Sequence, residues 1–297
     1  MEPGEWDYPH ATEPPAVSVV IPALNVGRTI SAQLEALSQQ DFDLPWELLL
    51  ADNGCTDDTL AVVGSFEHRL PVVVIDATAR RGINHARNRG TEAARAPLVL
   101  YCDGDDVVSS SWLRHMVEAL SSAEAVGGAI RERVAGSADT APPALPRTLT
   151  KYDWLPSPIG ANCGVQKAWW DKVGGFDENL DRGACDETDF FWRIQLSGGR
   201  LTAVDDAVVT YTLSQPGMPL AKKRYRIGHE RARLHRRYRR QGHPRRRTSQ
   251  AVRQWLFVLF SAPSALLSPS RRVQLWDAAA RAAGRLAGSL RYRTFYP

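Results

Sequence analysis

Hydrophobic residues fall along this chain in short blocks of two kinds. Val17-Ser18-Val19-Val20-Ile21, Glu47-Leu48-Leu49-Leu50-Ala51, Val72 to Ile75 and Leu98 to Cys102 are compact runs of strand length. They predict four buried β-strands. The first ends at Pro22, and the second runs into the turn signal Asp52-Asn53-Gly54. Between the runs the spacing is helical. Ile30, Leu34 and Leu37 mark a helix over Thr29 to Gln40, and Asn84 to Arg95 reads as another. Asp57-Asp58 suits the opening of a helix, because acids favour its positive end. Strands alternating with helices predict an α/β fold with a largely parallel sheet. Residues 1–15 read as a flexible arm, Ala135 to Pro146 as a mobile loop, and Trp169 to Leu201 as a second ordered block.

Charge divides the chain. The 297 residues carry a formal net charge of +4, which conceals an uneven distribution. From Pro216 to Pro297 there are 20 Lys/Arg against two acids, Glu230 and Asp277, a formal +18. The rest holds 17 bases and 31 acids, a formal −14. The reading is an acidic body, 16–215, and a basic helical extension, 216–297. Four cysteines without CxxC spacing suit reduced thiols in a cytoplasmic protein. The polar, proline-rich start has no apolar core of a signal peptide. The longest apolar stretch, Trp255 to Leu267, is interrupted by Pro263 and falls short of the roughly 20 residues a bilayer span requires.

Three polar clusters follow three of the strands: Pro22-Ala23-Leu24-Asn25, Asp52-Asn53-Gly54 and Asp103-Gly104-Asp105-Asp106. Ligands of open α/β sheets bind at the carboxyl ends of the strands, so the clusters are expected to face one crevice. Three acids within four residues repel unless a cation neutralises them. Mg²⁺ or Mn²⁺, which accept carboxylate, phosphate and water oxygens together, suit such a cluster. The expected ligand is a metal-bound diphosphate. The plainer reading of the cluster is a surface turn leading into a helix from Ser109.

The blocks VSVVIPALN, LLLADNGCTDDT, RRGINHARNRG, LVLYCDGDD and VGGFDENLDRGACDETDFFWRIQLSGGRL, in this order, resemble those of the family 2 glycosyltransferases. The resemblance covers about residues 16 to 215. It implies the GT-A fold, a Rossmann-like mixed, mostly parallel sheet flanked by helices. It also implies a nucleotide-diphosphate sugar as donor. By position, Pro22 and Asn25 would lie beside the nucleotide, Asp52 would bind the base, and Asp103 the ribose. Arg87, with Gly82 and Asn88 nearby, would stabilise the diphosphate; a plain ion pair on a helix is the alternative. Asp105 would coordinate the metal, with Asp106 orienting or ligating it. Asn53 stands where many relatives carry a second Asp.

Inverting transfer also needs a carboxylate to take the proton of the attacking hydroxyl. The family presents Glu-Asp at a helix start; here the order is Asp186-Glu187, so either Glu187 or Asp186 would be the base. The plainer reading is that Asp186 caps the helix that begins here, with both acids favourable on its dipole. Asp189 is expected to support this helix or the crevice wall. Asn162, Cys163 and Gly164 correspond to the donor-sugar pocket, and Trp192, Trp169 or Trp170 would stack on an acceptor, with a place in the core as the alternative. The expected acceptor is a cell-envelope or lipid-linked glycan, or a specialised glycoside. The basic extension, with its Trp-bearing helices, suits peripheral attachment to an anionic inner leaflet. A lid over the diphosphate and a solvated helical face are alternatives; no base-reading motif favours nucleic acid. A nucleotidyltransferase of related fold and a non-catalytic nucleotide-sugar-binding protein are the competing functions.

Overall fold

The computed structural model describes residues 13–134, 147–151, 154–180, 184–213 and 218–297. Most of the expected arm (1–15) and the whole of the expected loop (135–146) lie outside the described residues. Contacts divide the chain into two compact units, one comprising Met1–Asp181 and Asp186–Leu213, the other Arg182–Cys185 and Ser214–Pro297.

The first unit contains, in order, β1 (Val17–Ala23), α1 (Ile30–Ser38), β2 (Trp46–Asp52), α2 (Thr59–Gly64), β3 (Val72–Asp76), α3 (Ile83–Ala93) and β4 (Leu98–Cys102). There follow β5 (Val107–Val108), α4 (Trp112–Leu120), β6 (Ala125–Val134), β7 (Thr150–Lys151), β8 (Pro156–Ser157), β9 (Asn162–Gln166), α5 (Lys167–Val173), α6 (Asp186–Leu196) and β10 (Leu201–Leu213). Eight strands form one sheet in the order β3-β2-β1-β4-β9-β6-β10-β5, and β7 and β8 form a separate pair. The four strands expected from the apolar runs are its parallel half. Beyond β4 the sheet becomes mixed, because β9 runs antiparallel to both β4 and β6.

Alternation within the strands covers both faces. Val17, Val19 and Ile21 of β1 pack with Ile30, Leu34 and Leu37 of α1 and Trp112, Leu113 and Met116 of α4. Val20 points the other way, in the cluster of Leu49, Val99 and Tyr101 with Phe176, Phe190 and Ile194. Residues of both sets are essentially inaccessible to water, so the strands read as continuous apolar runs, as in sheets covered on both sides.

β1 continues through Pro22, where the sequence suggested an end. Pro22 lacks an N–H, but pairing with β4 stops at Val20, and Ala23 still accepts from Asn53 N–H on the β2 side. Proline therefore breaks no ladder bond. α2 begins as its acids suggest, with Asp57 accepting from Thr59 N–H at 3.1 Å.

The second unit holds α7 (Met218–Tyr238), α8 (Thr248–Leu267) and α9 (Pro269–Arg291). α8 runs on past Pro263. Gly228, Gly284 and Gly288 let α7 and α9 touch backbone to backbone. A Cβ at these positions would overlap the carbonyl oxygens of Arg281, Tyr225 and His229 respectively. Both acids of the unit are engaged internally. Glu230 is buried and accepts from Tyr292 Oη at 3.1 Å, and Asp277 ion-pairs with Arg224 (2.7 Å) and Arg281 (3.0 Å). Among the described residues, no helix is long and apolar enough to cross a membrane. None of the four cysteines is in a disulfide.

Candidate active site

Register brings the polar clusters to one rim. Ala23 pairs with Asp52 across β1 and β2, and Val20 with Tyr101 across β1 and β4. Extending that register sets Asp103 level with Pro22. Asp52 and Asp103 thus flank the end of β1, about two strand spacings, or roughly 10 Å, apart. Asn25 follows β1 in the left-handed region (φ 56°), and its Oδ1 accepts from Thr56 N–H at 2.8 Å. The loops after β1 and β2 are tied together by this bond. Asp52 Oδ1 accepts from Gly54 N–H (3.0 Å) and Cys55 N–H (2.8 Å), closing a tight turn.

Asn53 has a different task from its neighbour. It is buried, donates from Nδ2 to the carbonyls of Ala77 (2.6 Å) and Arg80 (2.7 Å), and accepts from Gly82 N–H (2.7 Å). It therefore pins the loop before α3 to the end of β2. A carboxylate could not donate the first two bonds, which accounts for Asn at this position.

Asp103, Asp105 and Asp106 each place a carboxylate oxygen within 4.8 Å of the others. Oxygens on opposite sides of a Mg²⁺ ion stand about 4.2 Å apart, so the span fits one hard divalent ion. Asp105 is exposed and Asp106 is buried, accepting Thr212 N–H from β10 at 2.9 Å. Gln33 of α1, fully buried, clamps the loop at both ends. Its Nε2 donates to Asp103 carbonyl (3.3 Å) and its Oε1 accepts from Val108 N–H (3.0 Å). Nothing in the sequence marks Gln33, since one Gln on an apolar helix carries no motif.

Arg87 of α3 joins this loop to α6. Its guanidinium contacts Asp103 Oδ1 at 3.4 Å and Asp186 Oδ2 at 3.1 Å, with Phe176 stacked 5.5 Å away. Gly160 leaves room for it, since a Cβ there would lie 2.8 Å from Arg87 Nη2. Arg87 is 2% exposed. It spans two carboxylates from different parts of the chain. Burial disfavours its charge, but Asp103 and Asp186 outweigh this and hold its pKa above the ordinary value.

Asp186 and Glu187 open α6. Burial, then the charge of Asp186 and a hydrogen bond with it, push the Glu187 carboxyl up to about 8, against a backbone hydrogen bond and the charge of Arg87. Asp189, also buried, binds Arg193 at 2.9 Å, and Arg193 donates to the carbonyls of Val173 and Gly175. It supports the helix, as expected. Glu178 gathers Arg80 (3.1 Å), His85 (3.2 Å) and Asn88 (3.0 Å), tying α3 to the segment before α6.

The residues expected in a sugar pocket are enclosed by the sheet, with Asn162 paired beside Cys102 at the end of β4. Asn162 is fully buried, accepting from Trp112 Nε1 (2.8 Å) and donating to Ala129 and Ala207 carbonyls. Cys163 is buried in the same strand, and a Cβ on Gly164 would meet Leu100 at 2.5 Å. These three hold the middle of the sheet. Trp192 is 1% exposed, donates to Leu155 carbonyl (2.9 Å) and meets Trp154 edge-on, so it offers no open face for stacking.

Residues 18–172, just over half of the chain, match the model of Glycosyl transferase family 2. The glycosyltransferase AglE of Haloferax volcanii is 26% identical over 229 residues, 72% of each protein. The matches to other curated relatives span only 27–36% of those proteins' length. The mannosyltransferase PcManGT from Pyrobaculum calidifontis, solved with GDP-Man and Mn²⁺, superposes with a TM-score of 0.59 at 19% identity. That match covers 97% of this chain and 79% of the other. S. aureus TarS 1-349 with UDP-GlcNAc gives 0.55 at 17% identity, covering 95% and 93%. The likeness to both structures is one of fold, the mixed sheet of GT-A glycosyltransferases.

Proposed function

The chain belongs to glycosyl transferase family 2, and from that premise we propose that it transfers a sugar, with inversion, from a nucleotide-diphosphate donor to an acceptor hydroxyl. The observation that carries the reading is the buried link Asp103–Arg87–Asp186, with Glu187 alongside. One guanidinium couples the acidic loop that suits a metal-bound diphosphate to the carboxyl pair that suits an acceptor. Asp52 and Asp103 hold the nucleoside, with Pro22 and Asn25 beside it. Asp105, with Asp103 and Asp106, holds Mg²⁺ or Mn²⁺. When bound, such an ion neutralises charge developing on the diphosphate.

Glu187 is the base. Asp186 is committed to Arg87, whereas a carboxyl with a pKa near 8 binds a proton tightly once ionised. The acceptor oxygen attacks the anomeric carbon as its proton passes to Glu187. The new C–O bond forms on the face opposite the departing diphosphate, which leaves with the bonding electrons. The acceptor is a cell-envelope or lipid-linked glycan, or a specialised glycoside, and the enzyme works on the cytoplasmic face of the plasma membrane.

A panel of nucleotide sugars, each with Mg²⁺ or Mn²⁺, tests the reading. The expected product is nucleoside diphosphate, formed only with added divalent ion. Asp105→Ala and Glu187→Gln should each lower turnover by roughly 10³-fold, and Glu187→Gln should still bind donor. Pyrophosphate released from a nucleoside triphosphate would mark a nucleotidyltransferase. Donor binding with no turnover would mark a non-catalytic protein.

A further inference from the structure

The basic extension carries a surface that nothing above uses. On α8, Ala251 is buried, and Gln254 donates to Ala278 carbonyl of α9 at 2.8 Å; these residues mark the side turned to α9. Away from it stand Val252 (50% exposed), Leu256 (43%), Leu259 (66%) and Phe260 (79%). At 3.6 residues per turn these four fall within an arc of about 100°. They make an apolar stripe along the open side of the helix.

Arg253 borders the stripe, Arg245 and Arg247 precede the helix, and Arg271 follows it; all four are exposed. The two acids of this unit are both occupied by partners within it, so the charge left facing outward is positive. Apolar side chains rimmed by arginine, on a 20-residue helix that does not qualify as a span, match the surface of a helix lying flat in a lipid interface.

We propose that the Val252–Leu256–Leu259–Phe260 face of α8 inserts into the headgroup layer of an anionic bilayer, with Arg245, Arg247, Arg253 and Arg271 engaging lipid phosphates. This deepens the membrane placement given above and rests on it. The stripe supplies insertion and the arginines supply preference for anionic lipid. Neither requires sugar transfer.

Full-length protein is sedimented with vesicles of phosphatidylcholine alone and of phosphatidylcholine with 30% phosphatidylglycerol. Wild type should prefer the anionic vesicles by at least about tenfold, and should lose about tenfold in partition when NaCl rises from 0.1 to 0.5 M. Leu259→Glu/Phe260→Glu should lower partition by at least about tenfold while circular dichroism and donor turnover stay unchanged. Undiminished partition of that variant overturns this face and leaves the membrane placement standing. Absence of wild-type partition on either vesicle overturns both. Equal, salt-independent binding to the two vesicles overturns the role of the arginines. A wild-type dimer that the double variant dissolves, without vesicle binding, assigns the stripe to a second copy and overturns the proposal. The lipid preference and salt response of wild type stand as tests even if the variant misfolds.

Discussion

At the rim of the sheet, Arg87 is one buried cation held between carboxylates; in the helical extension, Glu230 and Asp277 are two acids among 20 basic residues. The two regions mirror each other in charge. In each, the minority sign is engaged inside, by Asp103 and Asp186 in one case and by Tyr292, Arg224 and Arg281 in the other. Part of the majority sign is left exposed, Asp105 on the rim and Arg245, Arg247, Arg253 and Arg271 on the extension. What each region presents follows from what remains, an acidic rim suited to a cation and a basic helical face suited to an anionic surface. The means of assembly differ too. The rim is joined by side-chain hydrogen bonds between segments distant in sequence, whereas α7 and α9 meet through three glycines.

Removing the minority charge is the sharpest way to break this comparison. Arg87→Met leaves Asp103 and Asp186 without their shared cation, and Asp186 is nearly inaccessible to water. Breaking a buried pair from one side costs about 3–5 kcal/mol. The expected result is a loss of that order in urea unfolding. Turnover should also fall by more than about tenfold at a permissive temperature. Arg87→Lys keeps the charge but not the two-pronged reach, and should recover only part of either loss. Unchanged stability in Arg87→Met would mean that the link between the acidic loop and α6 carries no weight.

In the extension the corresponding test is steric. Gly284→Leu drives a side chain into the backbone of α7 at Tyr225. Neither helix can yield without loss of packing along the contact, so about 1–3 kcal/mol is expected. Thermal unfolding followed by circular dichroism measures it. Gly242→Ala is the control. A Cβ there meets nothing within 4 Å, and only the left-handed backbone (φ 100°) resists it. If the two variants melt alike, close approach of α7 and α9 is not what the glycines provide.

The same contrast explains how far the sequence could be read. The parallel half of the sheet was legible because β1 to β4 are buried on both faces and so appear as unbroken apolar runs. β6 and β10 were not, because Gly127-Gly128 and Asp205-Asp206 interrupt their patterns. The second interruption lies where the pairing of β10 with β6 shifts register between Val204 and Val208. The acids of the site were legible as dense clusters after strands. Their supports were not. Gln33, Asn53 and Glu178 act through hydrogen bonds to segments far away in the chain, and polar residues of that kind leave no periodic trace. The interior bonds of Asn162 and Trp192 were no more visible. Three hydrogen bonds to one and a close aromatic neighbour to the other come from segments far away in the chain.

The smallest expected effect separates the chemistry of Glu187 from its structural consequence. Its carboxyl, ordinarily near 4.5, sits near 8 in the folded chain. Between those values the native state holds a proton that the unfolded state has released, so the contribution of Glu187 to wild-type stability falls as pH rises and levels off above about 8. Glu187→Gln removes this dependence. The variant should match wild type near pH 4.5 and exceed it above pH 8 by on the order of 1 kcal/mol, allowing for the partial exposure of the side chain. Paired urea titrations at pH 5 and pH 8.5 read the gap directly, because groups away from the Asp186–Glu187 pair cancel in the difference. Over the same window wild-type kcat/KM should rise with pH, since only ionised Glu187 accepts a proton, and should reach half its plateau near pH 8. A stability gap that opens without a matching rise in rate would give the proton to Asp186. A rise in rate without the gap would mean that burial does not hold the Glu187 proton in the free enzyme.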